Sequence, residues 1–369
     1  MAGTILICAG GTGGHLFPAE AVARVLAARG WRIELVTDHR TREYGGDFPA
    51  AETHIVASAT PSGRGLAGKV GAGLKLSGGT LRALRLVGRI RPAVAVGFGG
   101  YPTVPPILAA RLRGVPTIIH DQNAVLGRAN RLLARFADRI ATASMALKLP
   151  ERFAANAVLT GNPVRPEVLK AKSAYRPPEP DGPIRIAVFG GSQGARFLSQ
   201  IVPATIGILR PELIARLRII QQCRREDLAE VEAEYRRIGA RAELATFFAN
   251  LPAIIAGSQL VISRSGATTV AELGVIGRPA ILIPLPGSID QDQRANAAIL
   301  ADAGGGWALD ERTLDAPEMA AIMTYLLDRP EKLAKAAVAA AATGVADGSE
   351  RLADLIEEVA AAGAKGAPA

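Results

Sequence analysis

The sequence predicts an α/β protein built from two doubly wound, Rossmann-like domains facing a cleft. Three observations carry that prediction. Short apolar runs alternate with helical patterns along all 369 residues, as expected for buried parallel strands with helices on both faces. Two of these runs end in glycine-rich loops about half a chain apart, "ILICAGGTGGHLFPA" near the N-terminus and "IRIAVFGGSQGARFLSQ" from residue 184. A proline-punctuated stretch separates them, and the length suits two domains of ordinary size.

In the first half, strands are expected at 4–9, 33–37, 93–98, 116–120 and 139–143, with helical patterns at 18–29 and 126–136. "GNPVRPE" and "YRPPEPDGP" then place five prolines ahead of Pro183, which marks a linker rather than an element. The expected domains are therefore 1–163 and 164–346. In the second half, strands are expected at 184–189, 217–221, 260–263 and 280–284. A last helical pattern covers 349–362, and the tail "AKGAPA" is expected to fray.

Composition narrows the function. Cys8 and Cys223 stand far apart with no C-x-x-C pair, which suits a reducing compartment and argues against a zinc site. The first apolar run is too short for a signal peptide, and prolines and glycines interrupt the uncharged stretch 93–110, so no transmembrane helix is expected. Charge is uneven: residues 1–165 hold 21 Lys and Arg against 9 Asp and Glu, the remainder 22 against 25. No acidic residue lies between Glu52 and Asp121. The first half is thus expected to face an anionic partner. Leu81, Leu84 and Val87 recur at helical spacing beside Arg82, Arg85 and Arg89, which reads as an amphipathic helix with a solvated face or as a contact with an anionic membrane surface. Nucleic acid is not expected as a partner: no recognition motif accompanies the charge, and aromatics are only 4%.

The glycine loops suit a phosphate-bearing ligand. Glycine lets backbone approach closely, and a helix N-terminus offers unpaired N–H groups and partial positive charge. Neither loop meets G-x-G-x-x-G, and no P-loop lysine is present, which disfavours a nicotinamide dinucleotide and ATP hydrolysis. His15 ends the first loop, at an expected helix start. It reads either as a packed structural histidine or as a general base, since imidazole exchanges protons near neutrality. His120 and Asp121 open "HDQNAVLGRAN", with Asp121 a second acid/base candidate or an orienter. The Asn123 amide can both donate and accept, as sugar hydroxyls require. In "SRSGATTVAELG", Thr268 and Thr269 sit in the first turn of an expected helix, suited to a diphosphate, and Glu272 suits ribose hydroxyls. Asp290 and Gln293 form a variant capping box. Asp290 and Asp292 also spell D-x-D, a metal–diphosphate pattern, but the capping box accounts for part of it and no metal site is assigned.

"GGTGGHLFPA", "GFGGYPT", "HDQNAVLGRAN", "GNPVR", "GGSQGAR", "SRSGATTVAELG" and "DQDQRANA" occur in this order and span most of the chain. As a set they resemble the peptidoglycan-synthesising N-acetylglucosaminyltransferases of glycosyltransferase family 28. The resemblance implies a glycosyltransferase-B fold, with an N-terminal domain that takes the lipid acceptor and a C-terminal domain that takes UDP-GlcNAc. The last helix, about 347–363, would return to the first domain. It also implies inverting transfer of N-acetylglucosamine from UDP-GlcNAc to the C4 hydroxyl of lipid I, forming lipid II. The enzyme would be peripheral, on the cytoplasmic face of the inner membrane, and would need no cofactor or metal. By matching motifs, Thr12, Gly13, Gly14, Asn123, Arg165, Ser192 and Gln293 would bind the donor. The segment 267–272, with Ala267, Thr268, Thr269 and Glu272, would hold its diphosphate and ribose, and His15 would be the base. The family usually carries Glu where this chain has Asp121, one methylene shorter, and many relatives carry Gln or His at the position of Asp292.

Overall fold

The computed structural model describes residues 2–10, 13–39, 48–56, 66–144, 147, 149–191 and 195–366. Two compact units divide the chain: residues 1–165 with 346–369, and residues 166–345. The division falls after Arg165, so Val164 and Arg165 lie with the first unit.

In the first unit, the strands are β1 (Ala2–Cys8), β2 (Trp31–Thr37), β3 (Glu52–Ile55), β4 (Val94–Gly97), β5 (Thr117–Asp121), β6 (Arg139–Thr142) and β7 (Ala157–Leu159). The helices are α1 (Gly13–Ala28), α2 (Leu66–Ile90), α3 (Val104–Leu112), α4 (Arg128–Leu133) and α5 (Glu151–Ala154). The second unit holds β8 (Ile184–Phe189), β9 (Leu217–Gln222), β10 (Arg241–Ala245), β11 (Leu260–Ser263), β12 (Ala280–Leu282) and β13 (Gly306–Ala308). Its helices are α6 (Pro166–Ala171), α7 (Arg196–Ile206), α8 (Pro211–Arg216), α9 (Leu228–Arg237), α10 (Leu251–Gly257), α11 (Ala267–Ile276), α12 (Asp292–Asp302), α13 (Ala316–Leu327) and α14 (Pro330–Ala342). The closing helix α15 (Gly348–Gly366) belongs to the first unit.

All strand pairs are parallel. The sheet orders are β3-β2-β1-β4-β5-β6-β7 and β10-β9-β8-β11-β12-β13. Each sheet reverses direction of growth beside its first strand, between β1 and β4 and between β8 and β11. Ligands of doubly wound sheets bind beyond the strand C-termini at such a switch point. Gly10 and Gly13 after β1, and Gly190 and Gly191 after β8, lie at that place.

Strand alternation builds the first core on both faces of its sheet. Ile5, Ile7, Ile33, Leu35, Val94 and Val96 pack with α1 and α15, while Leu6, Cys8, Val36 and Ala95 pack with α2, α3 and α4. Helix α15 contributes Leu352, Leu355, Ile356 and Val359, all buried, each worth about 1.5–3 kcal/mol on full burial. Arg29 pairs with Asp354 and Glu357 at 2.7 Å and fixes its outer edge.

Helix α1 begins at Gly13, ahead of the pattern at 18–29, with His15 in its first turn, as expected. Two expectations are corrected. The Asp290–Gln293 capping box does not form: Asp290 and Gln291 take left-handed backbone (φ 55° each), α12 starts after them with no side-chain cap, and the Gln293 amide turns to Leu285. The Leu81, Leu84 and Val87 stripe also divides: Val87 is buried in the core, whereas Leu81 is 63% exposed.

Candidate active site

At the switch point of the first sheet, α1 carries His15 away from β1, and Gly99 and Gly100 lead out of β4. The His15 ring lies against these glycines. A Cβ on Gly99 would stand 3.1 Å from His15 Cε1 and 3.2 Å from Nδ1, and Gly99 has φ +94°. Thus only glycine allows the ring to lie there without strain. Gly13 is buried under Phe17, whose ring would meet an added Cβ at 2.9 Å. The Phe17 ring in turn carries the Arg165 guanidinium at 4.7 Å, within cation–π range. Gly14 is exposed, and Thr12 lies outside the described residues.

The end of β5 supplies the partners of His15. His15 Nδ1 stands 3.1 Å from Gln122 Oε1. The Gln122 amide nitrogen is 2.9 Å from the Phe98 carbonyl and 3.0 Å from His120 Nδ1. His120 Nε2 is 3.0 Å from the Gly161 carbonyl. Burial pushes the His120 imidazole down to about 4, against the hydrogen bond to Gly161 and with help from the nearby His15, so His120 is neutral at pH 7.

Asp121 is 1% exposed. Its carboxylate accepts from Asn123 N (3.0 Å), Gly127 N (2.8 Å) and Asn130 Nδ2 (3.0 Å). Burial raises its pKa above the ordinary carboxylate value, while these three donors pull it down. The arrangement holds the 121–127 loop closed on itself and places Asn123, which is half-buried, beside it.

The second unit repeats the plan. Gly190 and Gly191 follow β8, and Ser192 lies outside the described residues. After β11, Ser265 and Gly266 lead into α11, whose first turn carries Ala267, Thr268 and Thr269. Ser265 Oγ donates to the Gln293 carbonyl at 2.7 Å, and Asn296 Nδ2 donates to the Ser265 carbonyl at 3.2 Å. These bonds pin α12 to the loop ahead of α11. The Gln293 side-chain oxygen accepts from Leu285 N at 3.0 Å. The Thr268 hydroxyl is buried without a hydrogen-bond partner among the described residues, a group that a bound oxygen ligand would satisfy. Glu272 is buried. Nearby, Arg264 pairs with Glu311 and donates to the Ile283 carbonyl.

Among the described residues, one set has metal-ligand proximity: Glu34, Glu52 and His54. It is distinct from Asp290 and Asp292, and Glu34 is already engaged by Arg32 and His54 at 2.8 Å each. Sequence reasoning passed over Gln122, Gly99 and Asn130. Gln122 had a signal: it lies two residues after His120 at a strand end, and that spacing puts both side chains on one face.

Comparison with known proteins agrees with this architecture. The family model described as "Glycosyltransferase family 28 N-terminal domain" matches residues 5–142, and "Glycosyltransferase family 28 C-terminal domain" matches residues 185–352. The chain is 53% identical over 360 residues to the UDP-N-acetylglucosamine--N-acetylmuramyl-(pentapeptide) pyrophosphoryl-undecaprenol N-acetylglucosamine transferase of Methylobacterium nodulans, covering 96% of each chain. It is 51% identical to the protein of the same name from Rhodopseudomonas palustris, over 96% of this chain and 98% of the other. Among solved structures, it is similar to MurG from Acinetobacter baumannii, with TM-score 0.79, 28% identity, and 96% and 99% of the two chains covered. A Phytolacca americana UGT2 structure, at TM-score 0.69 and 18% identity over 98% of this chain and 99% of that one, shares the fold alone. The fold is therefore glycosyltransferase-B, and with both family models matched in order along its length the chain belongs to glycosyltransferase family 28.

Proposed function

We propose that this chain transfers N-acetylglucosamine from UDP-GlcNAc to the C4 hydroxyl of lipid I, undecaprenyl-pyrophosphoryl-N-acetylmuramyl-pentapeptide, and so forms the lipid II of peptidoglycan synthesis. The observation that carries this reading is 53% identity across nearly the whole chain to a transferase of that name.

In this reading His15 is the base. Its Nε2 takes the proton of the acceptor hydroxyl as that oxygen bonds to the anomeric carbon. The bond to the donor diphosphate breaks with its electron pair leaving on UDP, and attack opposite the leaving group inverts the centre. Unpaired N–H groups at the start of α11 and the Thr268 hydroxyl take the developing charge on the diphosphate, and Glu272 takes the ribose. Thr12, Gly13, Gly14, Asn123, Arg165, Ser192, Ala267, Thr269 and Gln293 complete the donor contacts. Asp121 acts by ordering the loop that carries Asn123; its three hydrogen bonds to that loop and helix α4 support this role over direct proton transfer. No metal takes part.

The protein works at an anionic membrane surface, on the cytoplasmic face of the inner membrane. No helix among the described residues is long and apolar enough to cross a membrane. Peripheral docking is supported by Leu81 and Leu112, 63% and 69% exposed, near the exposed Arg82, Arg85, Arg111 and Arg113.

The test is transfer of labelled N-acetylglucosamine from UDP-GlcNAc to a short-chain lipid I analogue, with and without EDTA. Disaccharide product in both conditions is expected. Product only without EDTA would overturn the metal-free mechanism. No product with donor binding intact would overturn the acceptor assignment, leaving another UDP-sugar enzyme of this fold, such as a glycolipid synthase or UDP-GlcNAc epimerase, or a non-catalytic sensor.

A further inference from the structure

We infer that Gln122 and His120 are positioning residues for the transfer: a hydrogen-bonded relay from the Gly161 carbonyl through His120 and Gln122 fixes His15 as the Nδ1–H tautomer and leaves Nε2 to take the proton. The catalytic part of this inference rests on His15 being the base. The tautomer assignment does not.

The relay follows from donor and acceptor inventory alone. A backbone carbonyl can only accept. The Gly161 oxygen, 3.0 Å from His120 Nε2, therefore requires hydrogen on that nitrogen. His120 is neutral, so its Nδ1 holds a lone pair. The Phe98 oxygen likewise requires that the amide atom 2.9 Å away be the Gln122 NH2 group. This settles which way the amide faces. One amide hydrogen goes to Phe98 and the other to His120 Nδ1 at 3.0 Å, so both donors are used. Gln122 Oε1 is then the atom left facing His15, and it only accepts. His15 Nδ1, 3.1 Å from it, must donate.

Each polar atom in the chain has one compatible state, and two fixed backbone carbonyls terminate it. Gln122 and His120 are both buried, so water does not compete for these bonds and the relay keeps its sense. The backbone at Gly99 and Gly100 also lies against the His15 ring. His15 is thus held by a hydrogen bond at Nδ1 and by packing against these glycines. A neutral amide performs the orienting role here, as Asn does in Cys-His-Asn proteases. The bond also persists when His15 becomes an imidazolium, because Nδ1 carries hydrogen in both states. The base can therefore gain a proton on Nε2 without rearranging its support.

The test is a long-range 1H–15N correlation spectrum of protein labelled at histidine. His15 is one of four histidines and is assigned from the signal lost in His15→Gln. The neutral His15 ring is expected with hydrogen on Nδ1 and a pyridine-type Nε2, the reverse of the tautomer that free imidazole side chains favour. In Gln122→Leu, His15 is expected to revert to the Nε2–H form, with kcat for transfer falling about 10–100-fold and KM for UDP-GlcNAc within about twofold. In Gln122→Glu, one oxygen still accepts from His15 Nδ1, but the other faces the Phe98 carbonyl and the His120 Nδ1 lone pair with no hydrogen to give, so this variant is not expected to restore kcat. A wild-type spectrum showing Nε2–H on neutral His15 would overturn the inference, and this reading needs no Gln122 variant, only His15→Gln for the assignment. So would a folded Gln122→Leu protein with the wild-type tautomer and kcat. Full turnover in His15→Ala would count against His15 as base and leave the tautomer result standing.

Discussion

Replacing Gly99 with alanine separates the geometry of the His15 site from the stability of the unit that carries it. Gly99 has φ +94°, a backbone state that costs an L-residue about 1–2 kcal/mol. The first unit spans roughly 190 residues, so Tm should fall by about 2–8 °C. The new Cβ would also stand 3.1 Å from His15 Cε1 and 3.2 Å from Nδ1. The ring must then give by a few tenths of an ångström, yet its Nδ1 is tied to Gln122 at 3.1 Å. A misplacement of about 1 Å costs about 100-fold in rate, so a shift of about 0.3–0.5 Å corresponds to a fall of about 4–10-fold in kcat. Gly114→Ala is the control: it has φ +73° and nothing within 4 Å of the added Cβ. It should lose similar stability and keep kcat. The assay is transfer from UDP-GlcNAc to the short-chain acceptor, with thermal unfolding of each variant. Equal kcat in the two variants would refute the claim that Gly99 provides the seat for the His15 ring.

His15→Ala should lower kcat by about 10²–10⁴-fold while calorimetry shows UDP-GlcNAc binding unchanged; retained turnover would exclude His15 as base. His120, held at about 4 in the fold against an ordinary value of about 6.5, makes stability depend on pH. Above about pH 6.5 the ring is neutral folded and unfolded; below it the unfolded chain takes up the proton first, so about 3 kcal/mol is lost as pH falls from about 6.5 to about 4. Denaturant titrations across that range should show this limb, and His120→Gln should flatten it. Arg278 is almost fully buried and donates to the carbonyls of Ala256, Ser173, Ile276 and Gly277. Arg278→Met should destabilise the second unit by about 2–4 kcal/mol by stripping those acceptors, and Arg278→Lys should not restore it, because an ammonium lacks the five-donor fork. Ile356→Ala in α15 should cost the first unit about 2–5 kcal/mol in denaturant unfolding, and a loss below 1 kcal/mol would mean that α15 is not part of that core.

The sequence by itself determined the central layers of both sheets. β1, β4, β5, β8 and β11 are short, apolar runs because helices cover both their faces, and burial writes that composition directly. It also determined the loops after β1 and β8, since a close backbone turn demands glycine, and it singled out His15 beside the first of them. Four strands were not legible: β3, β7, β10 and β13. Each is a sheet edge, where one side lacks a neighbouring strand and side chains such as those of "RAELA" in β10 need not be apolar.

The tertiary structure alone decided what surrounds His15. Its partner Gln122 is 107 residues away, and the Gly161 carbonyl that anchors the relay is 41 residues beyond His120. Local patterning carries no record of such pairings, because hydrogen-bond partners are assigned by which strand ends the sheet order brings together. The role of Asp121 is decided more locally, by partners two, six and nine residues on. Its sequence fits an acid, a base or an orienter equally, and only the fold turns its carboxylate inward onto Asn123, Gly127 and Asn130. Spacing predicted a capping box at Asp290 and Gln293, but the left-handed backbone at 290 and 291 moved the helix start beyond it. Residue type thus set which chemistry was available, and parallel strand order set which of those groups meet.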